Sequence, residues 1–152
     1  MITTFQRHRT TVFLVTAIAL WLISAAVSAQ QEATASADAA PPYSKEQAEL
    51  GHGLFAERCA SCHGQSLSGT ASAPALVGDD FASGWSGKTI GDLFTTVRQT
   101  MPADNPRTLT PDEAADAIAY ILSQNKWPAG DKELPSDPTA LKQFRVVPQN
   151  KP

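Results

Sequence analysis

Two thiols and an imidazole stand together in the run Cys59-Ala60-Ser61-Cys62-His63. The order C-x-x-C-H is a chemical specification. Thiols three positions apart can each add to one of the two vinyl groups of a single haem, and the imidazole that follows directly then lies under the iron. The motif therefore predicts one covalently attached haem c per chain. Cys59 and Cys62 would tether it, and His63 would be the proximal iron ligand.

Other chemistries use a C-x-x-C pair: a thioredoxin-type redox pair, half of a zinc site, or a small disulfide. A redox pair wants a preceding strand and a long helix opening at the first cysteine, whereas here Cys59 ends a helical pattern and Gly64 stops its continuation. A structural zinc site wants four ligands, and beyond the motif only His52 and His8 could add nitrogen or sulfur of the usual kind. A disulfide has no use for His63. His52 is the runner-up ligand, but it sits on the turn before the motif and reads as a solvated surface histidine.

A second axial ligand has few sources. Met101 is the only methionine besides Met1, and it stands in Thr100-Met101-Pro102, 38 positions after His63 (101 − 63). A lone methionine is ordinarily core filler. This one follows a helical pattern and directly precedes a proline in a loop, so with a haem present the reading favours ligation. Upstream, Ala73-Pro74-Ala75-Leu76-Val77-Gly78 offers the Pro74 carbonyl as an acceptor for the free N–H of a metal-bound histidine. A simple loop proline explains Pro74 equally well.

The elements that must position these residues are helical. Ser44-Lys45-Glu46-Gln47 has a capping-box pattern opening a helix over roughly 45–58, with Leu50, Leu54 and Phe55 as its apolar stripe. Gly51 and Gly53 lower its propensity, which suggests a close helix crossing. Gln65 to Ala73 is a loop, and Phe81 and Trp85 fall in a second Gly/Ser loop. Thr89 as N-cap and Asp92 in the first turn open another helix with Ile90, Leu93, Phe94 and Val97 on one side, ending near Gln99 before Pro102. Thr110-Pro111-Asp112-Glu113 opens a third, running to about Gln124. No strand is convincing. A core this small wants a staple, which a covalent haem supplies.

The N-terminus carries an address. Arg7, His8 and Arg9 precede an apolar run from Val12 to Val27, and Val27-Ser28-Ala29 has the small residues a signal peptidase needs. Residues 1–29 are read as a cleaved signal peptide, with an uncleaved membrane anchor as the alternative. Residues 30–42 are read as a disordered leader, 43–130 as the domain, and 131–152 as an extended tail partly packed on it. Removing Arg7 and Arg9 leaves 12 − 2 = 10 basic against 15 acidic residues, a balance of −5. That argues against nucleic acid as a partner. Haem attachment and the leader together point to the periplasm.

From Tyr43 to Gly130 the chain resembles the class I (monohaem, mitochondrial-type) cytochromes c. It is most similar to the bacterial periplasmic members and to haem domains associated with quinoprotein dehydrogenases. The resemblance is carried by Gly51 and Phe55 before Cys59-Ala60-Ser61-Cys62-His63-Gly64, by Pro74-Ala75-Leu76-Val77-Gly78, by Met101-Pro102-Ala103, and by Asp116-Ala117-Ile118-Ala119-Tyr120-Ile121. It implies an all-α fold of three main helices around one haem, with an extended C-terminal tail. Gly51 and Phe55 would pack against Tyr120, Pro74 would accept the His63 N–H, and Met101 would be the distal ligand. Trp85 and Arg98 are candidates for the propionates.

The implied function is a one-electron carrier, not an enzyme, exchanging electrons with partner proteins. A periplasmic dehydrogenase would be the donor, and a terminal oxidase or another cytochrome the acceptor. The membrane is a partner only if the N-terminal segment is retained. Two alternatives remain: the haem-bearing subunit of a dehydrogenase or oxidase complex, and a haem enzyme or gas sensor with an open sixth site.

Overall fold

The computed structural model describes residues 41–147. The expected signal peptide, residues 30–40 of the expected leader, and the last five residues of the tail lie outside the described residues. The described part is helical, with six segments: α1 (Lys45–Arg58), α2 (Ala60–His63), α3 (Gly78–Trp85), α4 (Ile90–Thr100), α5 (Pro111–Gln124) and α6 (Pro138–Leu141). Its one piece of β pairing is an isolated antiparallel bridge between Thr89 and Arg145.

Local signals start α4 and α5. In both, a threonine side chain accepts the backbone N–H of N3 and an acid at N3 accepts the threonine N–H, closing a capping box: Thr89 with Asp92, and Thr110 with Glu113. The α1 start is different. Ser44 accepts the Gln47 N–H at 3.0 Å, but the Gln47 side chain does not return the bond. It turns instead to Leu134, whose carbonyl accepts from Nε2 at 3.1 Å and whose N–H donates to Oε1 at 2.7 Å.

The principal packing is α1 across α5, and Gly51 is why the two come so close. A Cβ at Gly51 would lie 1.9 Å from the Asp116 carbonyl oxygen. Phe55 is buried one turn later, its ring 5.4 Å from that of Tyr120. The buried stripe of α1 is Gln47, Ala48, Gly51 and Phe55. Leu50, expected in that stripe, is instead 65% exposed. The crossing at Gly51 fixes the buried side, and Leu50 lies more than 90° around the helix from its centre, given 100° per residue.

A Cβ at Gly53 would meet nothing within 4 Å. The glycine lowers helix propensity there and gains no packing in exchange. Gly53→Ala should therefore raise stability by about 1 kcal/mol, as read by urea denaturation. An unchanged or lower midpoint would show that the position needs glycine.

Phe81 and Trp85 stand on a helix, α3, rather than in the expected loop. Its sequence has no local cap: Val77 is at N-cap with no side-chain bond. The cap comes from the end of α5, where Asn125 accepts the Gly78 N–H at 3.0 Å and donates to the Leu76 carbonyl at 2.8 Å. Asp79 and Asp80 in the first turn suit the helix dipole. Phe81 is buried and Trp85 half-buried.

The C-terminal segment is deeply seated. Leu134, Leu141, Phe144 and Val146 are all buried, and α6 lies against α4 at Gly91. At the other end of the domain Pro41, expected in the leader, is also buried, and the Tyr43 carbonyl accepts the Gly130 N–H at 2.8 Å.

Candidate functional site

The C-x-x-C-H run is wound as a turn of helix. The Cys59 carbonyl accepts from both Cys62 N–H (3.1 Å) and His63 N–H (2.9 Å), and Gly64, at φ 78°, ends the turn. Positions 59, 62 and 63 relate as i, i+3 and i+4, which share one side of a helix. The two thiols and the imidazole are thus presented together by the junction of α1 and α2. Both cysteines are free. Cys62 is exposed, whereas Cys59 is half-buried. Burial pushes the Cys59 thiol up, nearby Arg58 lowers it, and Cys62 raises it.

His63 is buried, and its Nδ1 lies 2.8 Å from the Pro74 carbonyl oxygen. A carbonyl can only accept, so Nδ1 carries the proton and the Nε2 lone pair is free to bind a metal. The loop between them is built to make this contact. The His63 carbonyl accepts the Gly69 N–H at 3.0 Å, and the Thr70 hydroxyl donates to the Cys62 carbonyl at 2.6 Å. Gly69 is at φ 78°, and a Cβ there would lie 2.6 Å from the Ala75 nitrogen. Leu67 plugs the loop from inside, 1% exposed, and accepts the Leu76 N–H on its carbonyl at 2.7 Å. Sequence reasoning misses Leu67. Its one signal is being the single large apolar residue in a polar run.

Two free thiols, an oriented imidazole with an open nitrogen, and a buried ring are the donor set that a c-type haem requires, so the residues present fit that group. The zinc reading has less to work with. Among the described residues no three His, Cys, Asp or Glu side chains gather as a metal site.

Met101 belongs to a different element. It is the C-cap of α4, half-buried, with its N–H donating to the Val97 carbonyl at 3.0 Å and buried Pro102 behind it. A hydrogen bond of 2.8 Å from Arg58 Nη2 to Thr108 Oγ1 ties the residue before Cys59 to the loop that follows Met101. His52 is exposed, with its ring 4.9 Å from that of Tyr120. Trp85 lies under Lys88, whose Nζ is 4.6 Å from the ring centroid. Arg98 donates to the Leu109 carbonyl and lines a cleft of about 570 Å³ with Phe94, Arg107 and Pro138.

Comparison with known proteins adds three findings. The family model described as "Cytochrome C oxidase, cbb3-type, subunit III" matches residues 46–121. A crystal structure of the sulfane dehydrogenase SoxCD from Paracoccus pantotrophus is similar, with 30% identity and a TM-score of 0.50 over 65% of this chain and 52% of that one. This chain thus spans about half the length of the SoxCD chain it matches. No curated protein matches the sequence.

Proposed function

The chain belongs to the family described as cytochrome c oxidase, cbb3-type, subunit III, and from that premise we propose that it is a periplasmic one-electron carrier with His63 and Met101 as axial ligands. It is an electron-transfer protein of the cytochrome c type, and its cofactor is a covalent haem c. When bound, that haem supplies an Fe(III)/Fe(II) couple. The chain's own residues do the rest. Cys59 and Cys62 fix the group by thioether bonds, and the Pro74 carbonyl holds His63 in the tautomer that leaves Nε2 free. A Met101 thioether opposite imidazole would favour the reduced state and raise the potential. Both axial positions would then be filled by protein, which leaves no site for a substrate.

The observation that carries this reading is the His63–Pro74 contact beside two free thiols. Visible spectra of the oxidised and reduced protein test it. A six-coordinate spectrum in both states is expected, with no rapid binding of carbon monoxide to the reduced form. Rapid binding at neutral pH would mean an open sixth site and would return the haem enzyme or gas sensor as the better account.

Export and attachment are tested together. The mass of protein purified from the periplasm should equal residues 30–152 plus one haem. The variant carrying both Cys59→Ala and Cys62→Ala should lose the haem increment completely on denaturation. A mass that retains residues 1–29 would make this an anchored cytochrome; no helix among the described residues is long and apolar enough to cross a membrane.

Its partners are redox proteins. We place a periplasmic dehydrogenase as donor and a terminal oxidase or another cytochrome as acceptor. The likeness to SoxCD favours a second arrangement, in which the chain is the haem-bearing subunit of a dehydrogenase complex. Size-exclusion of the mature protein with its native neighbours separates the two. From Cys59 to Gly78 the sequence holds no Asp, Glu, Lys or Arg. With a balance of −5, the partner is either basic or bound chiefly through apolar contacts around the motif, and transfer rates across a salt series would decide between the two.

A further inference from the structure

We infer that the C-terminal segment, residues 134–146, is a brace that sets the spacing between α1, which leads into the His63 motif, and α4, which ends at Met101, and that Gln47 and Gly91 are its positioning residues. This rests on the ligation proposed for Met101. Two helices matter. The C-terminal end of α1 leads into Cys59 and His63, and α4 ends at Met101. The segment takes hold of each helix at its N-terminal end.

On α1 the holding group is Gln47, 4% exposed. Both ends of its amide are used by one residue of the segment, Leu134, at 3.1 Å and 2.7 Å. A buried amide with both functions paired to one backbone unit fixes position and direction together, and leaving either half unpaired would be costly.

On α4 the segment supplies part of the helix cap. The first N–H groups of a helix have no partner within it. That of Ile90 is taken by the Phe144 carbonyl at 2.8 Å. The neighbouring Lys88 carbonyl accepts the Val146 N–H at 3.0 Å, which closes the Thr89–Arg145 bridge. One residue on, Gly91 is bare so that α6 can lie against the helix. A Cβ there would be 2.6 Å from the Pro138 carbonyl oxygen and 3.0 Å from the Lys142 nitrogen. These obstacles are backbone, which cannot rotate aside as a side chain would.

A helix of 11 residues is a stiff rod about 16 Å long at 1.5 Å per residue. A shift imposed at Ile90 reaches Met101. The brace acts at the ends remote from the ligands, and the Arg58–Thr108 bond acts near them. Together they would hold the methionine loop at a fixed distance from the motif.

The test uses the full-length haem-loaded protein and two substitutions, Gly91→Ala and Gln47→Ala, which loosen opposite ends of the brace. The readouts are the sulfur-to-iron charge-transfer band of the oxidised form, the midpoint potential, and carbon monoxide binding to the reduced form, all well below the melting temperature. Each variant should show a weakened band, a lower potential and a roughly tenfold rise in apparent carbon monoxide affinity, because a larger fraction of molecules has the methionine detached. Lowered melting temperature with an unchanged band, potential and carbon monoxide affinity would make the segment a purely structural element and overturn the inference. If Gly91→Ala does not fold, Gln47→Ala decides alone, since it adds no atoms. Absence of the band from the unmutated protein would instead overturn the Met101 ligation itself, so the two failures are told apart.

Discussion

Replacing Met101 by alanine should remove the sulfur-to-iron band of the oxidised protein altogether, lower the midpoint potential by on the order of 0.1 V or more, and open the reduced iron to carbon monoxide. The range that axial ligands command is about 0.8 V, so a shift of that size is modest for the loss of one ligand. The alternative ligands are poorly suited. Lysine must shed a proton against an ordinary pKa near 10.4 before it can ligate. His52 is exposed beside the Tyr120 ring, on the helix that leads into the motif. Met101 needs no deprotonation and is held at the end of α4 with buried Pro102 behind it. Because Met101 is half-buried, truncation also leaves a gap, so water or an exogenous ligand can enter. Visible spectra, potentiometry and titration with carbon monoxide check the three outcomes. A variant that keeps the spectrum and the potential of the parent would show that Met101 was not on the iron.

Gly51→Ala should cost about 4 kcal/mol or more, at the exceptional end for single substitutions. The added Cβ would fall 1.9 Å from the Asp116 carbonyl oxygen and 2.5 Å from the carbonyl carbon. Relief requires α1 and α5 to separate, and their crossing buries Phe55 and Tyr120. Small-to-large changes in a packed core ordinarily cost about 1–3 kcal/mol because side chains can yield. Here backbone meets backbone. With total stability of small domains at about 5–15 kcal/mol, such a loss should appear as poor yield of folded protein and a large drop in urea midpoint. A midpoint within experimental error of the parent would mean that the helices can part freely, and that the crossing contributes little.

The contrast between Gly51 and Gly53 shows how much is legible in the sequence. Both glycines announce a close crossing, and nothing in their own neighbourhood says which one makes it. Features written within four residues read well: the N-caps Thr89 and Thr110, the Cys59–His63 run, and the end of α4 before Pro102. Features that depend on a distant partner do not. The α3 helix reads as a loop because its cap is Asn125, 47 positions away. Gln47 looks like the second half of a capping box, yet its amide serves Leu134, 87 positions on. Leu50 fits a helical period and still faces outward, since the buried side of α1 is chosen by where Gly51 admits α5. The His63 to Pro74 contact lies between these cases. The acceptor can be named from its chemistry, but the loop that delivers it turns on the left-handed backbone at Leu67, φ 60°, which no residue type announces.

The Gly51–Asp116 crossing also orders events in time. Its two sides are 65 positions apart (116 − 51), so α1 has nothing to pack on until most of the domain has been synthesised. On its own α1 is 14 residues long with two interior glycines, too short and too weak to persist as a helix in water, where the margin lies at about 12–15 residues even for good sequences. Until α1 and α5 dock, Cys59 through His63 are therefore exposed as unstructured peptide. During that interval both thiols are open, including Cys59, which the finished fold half covers. The close crossing thus acts as a latch as well as a clamp: until α5 is in place the motif stays open, and once the crossing closes Cys59 is half covered.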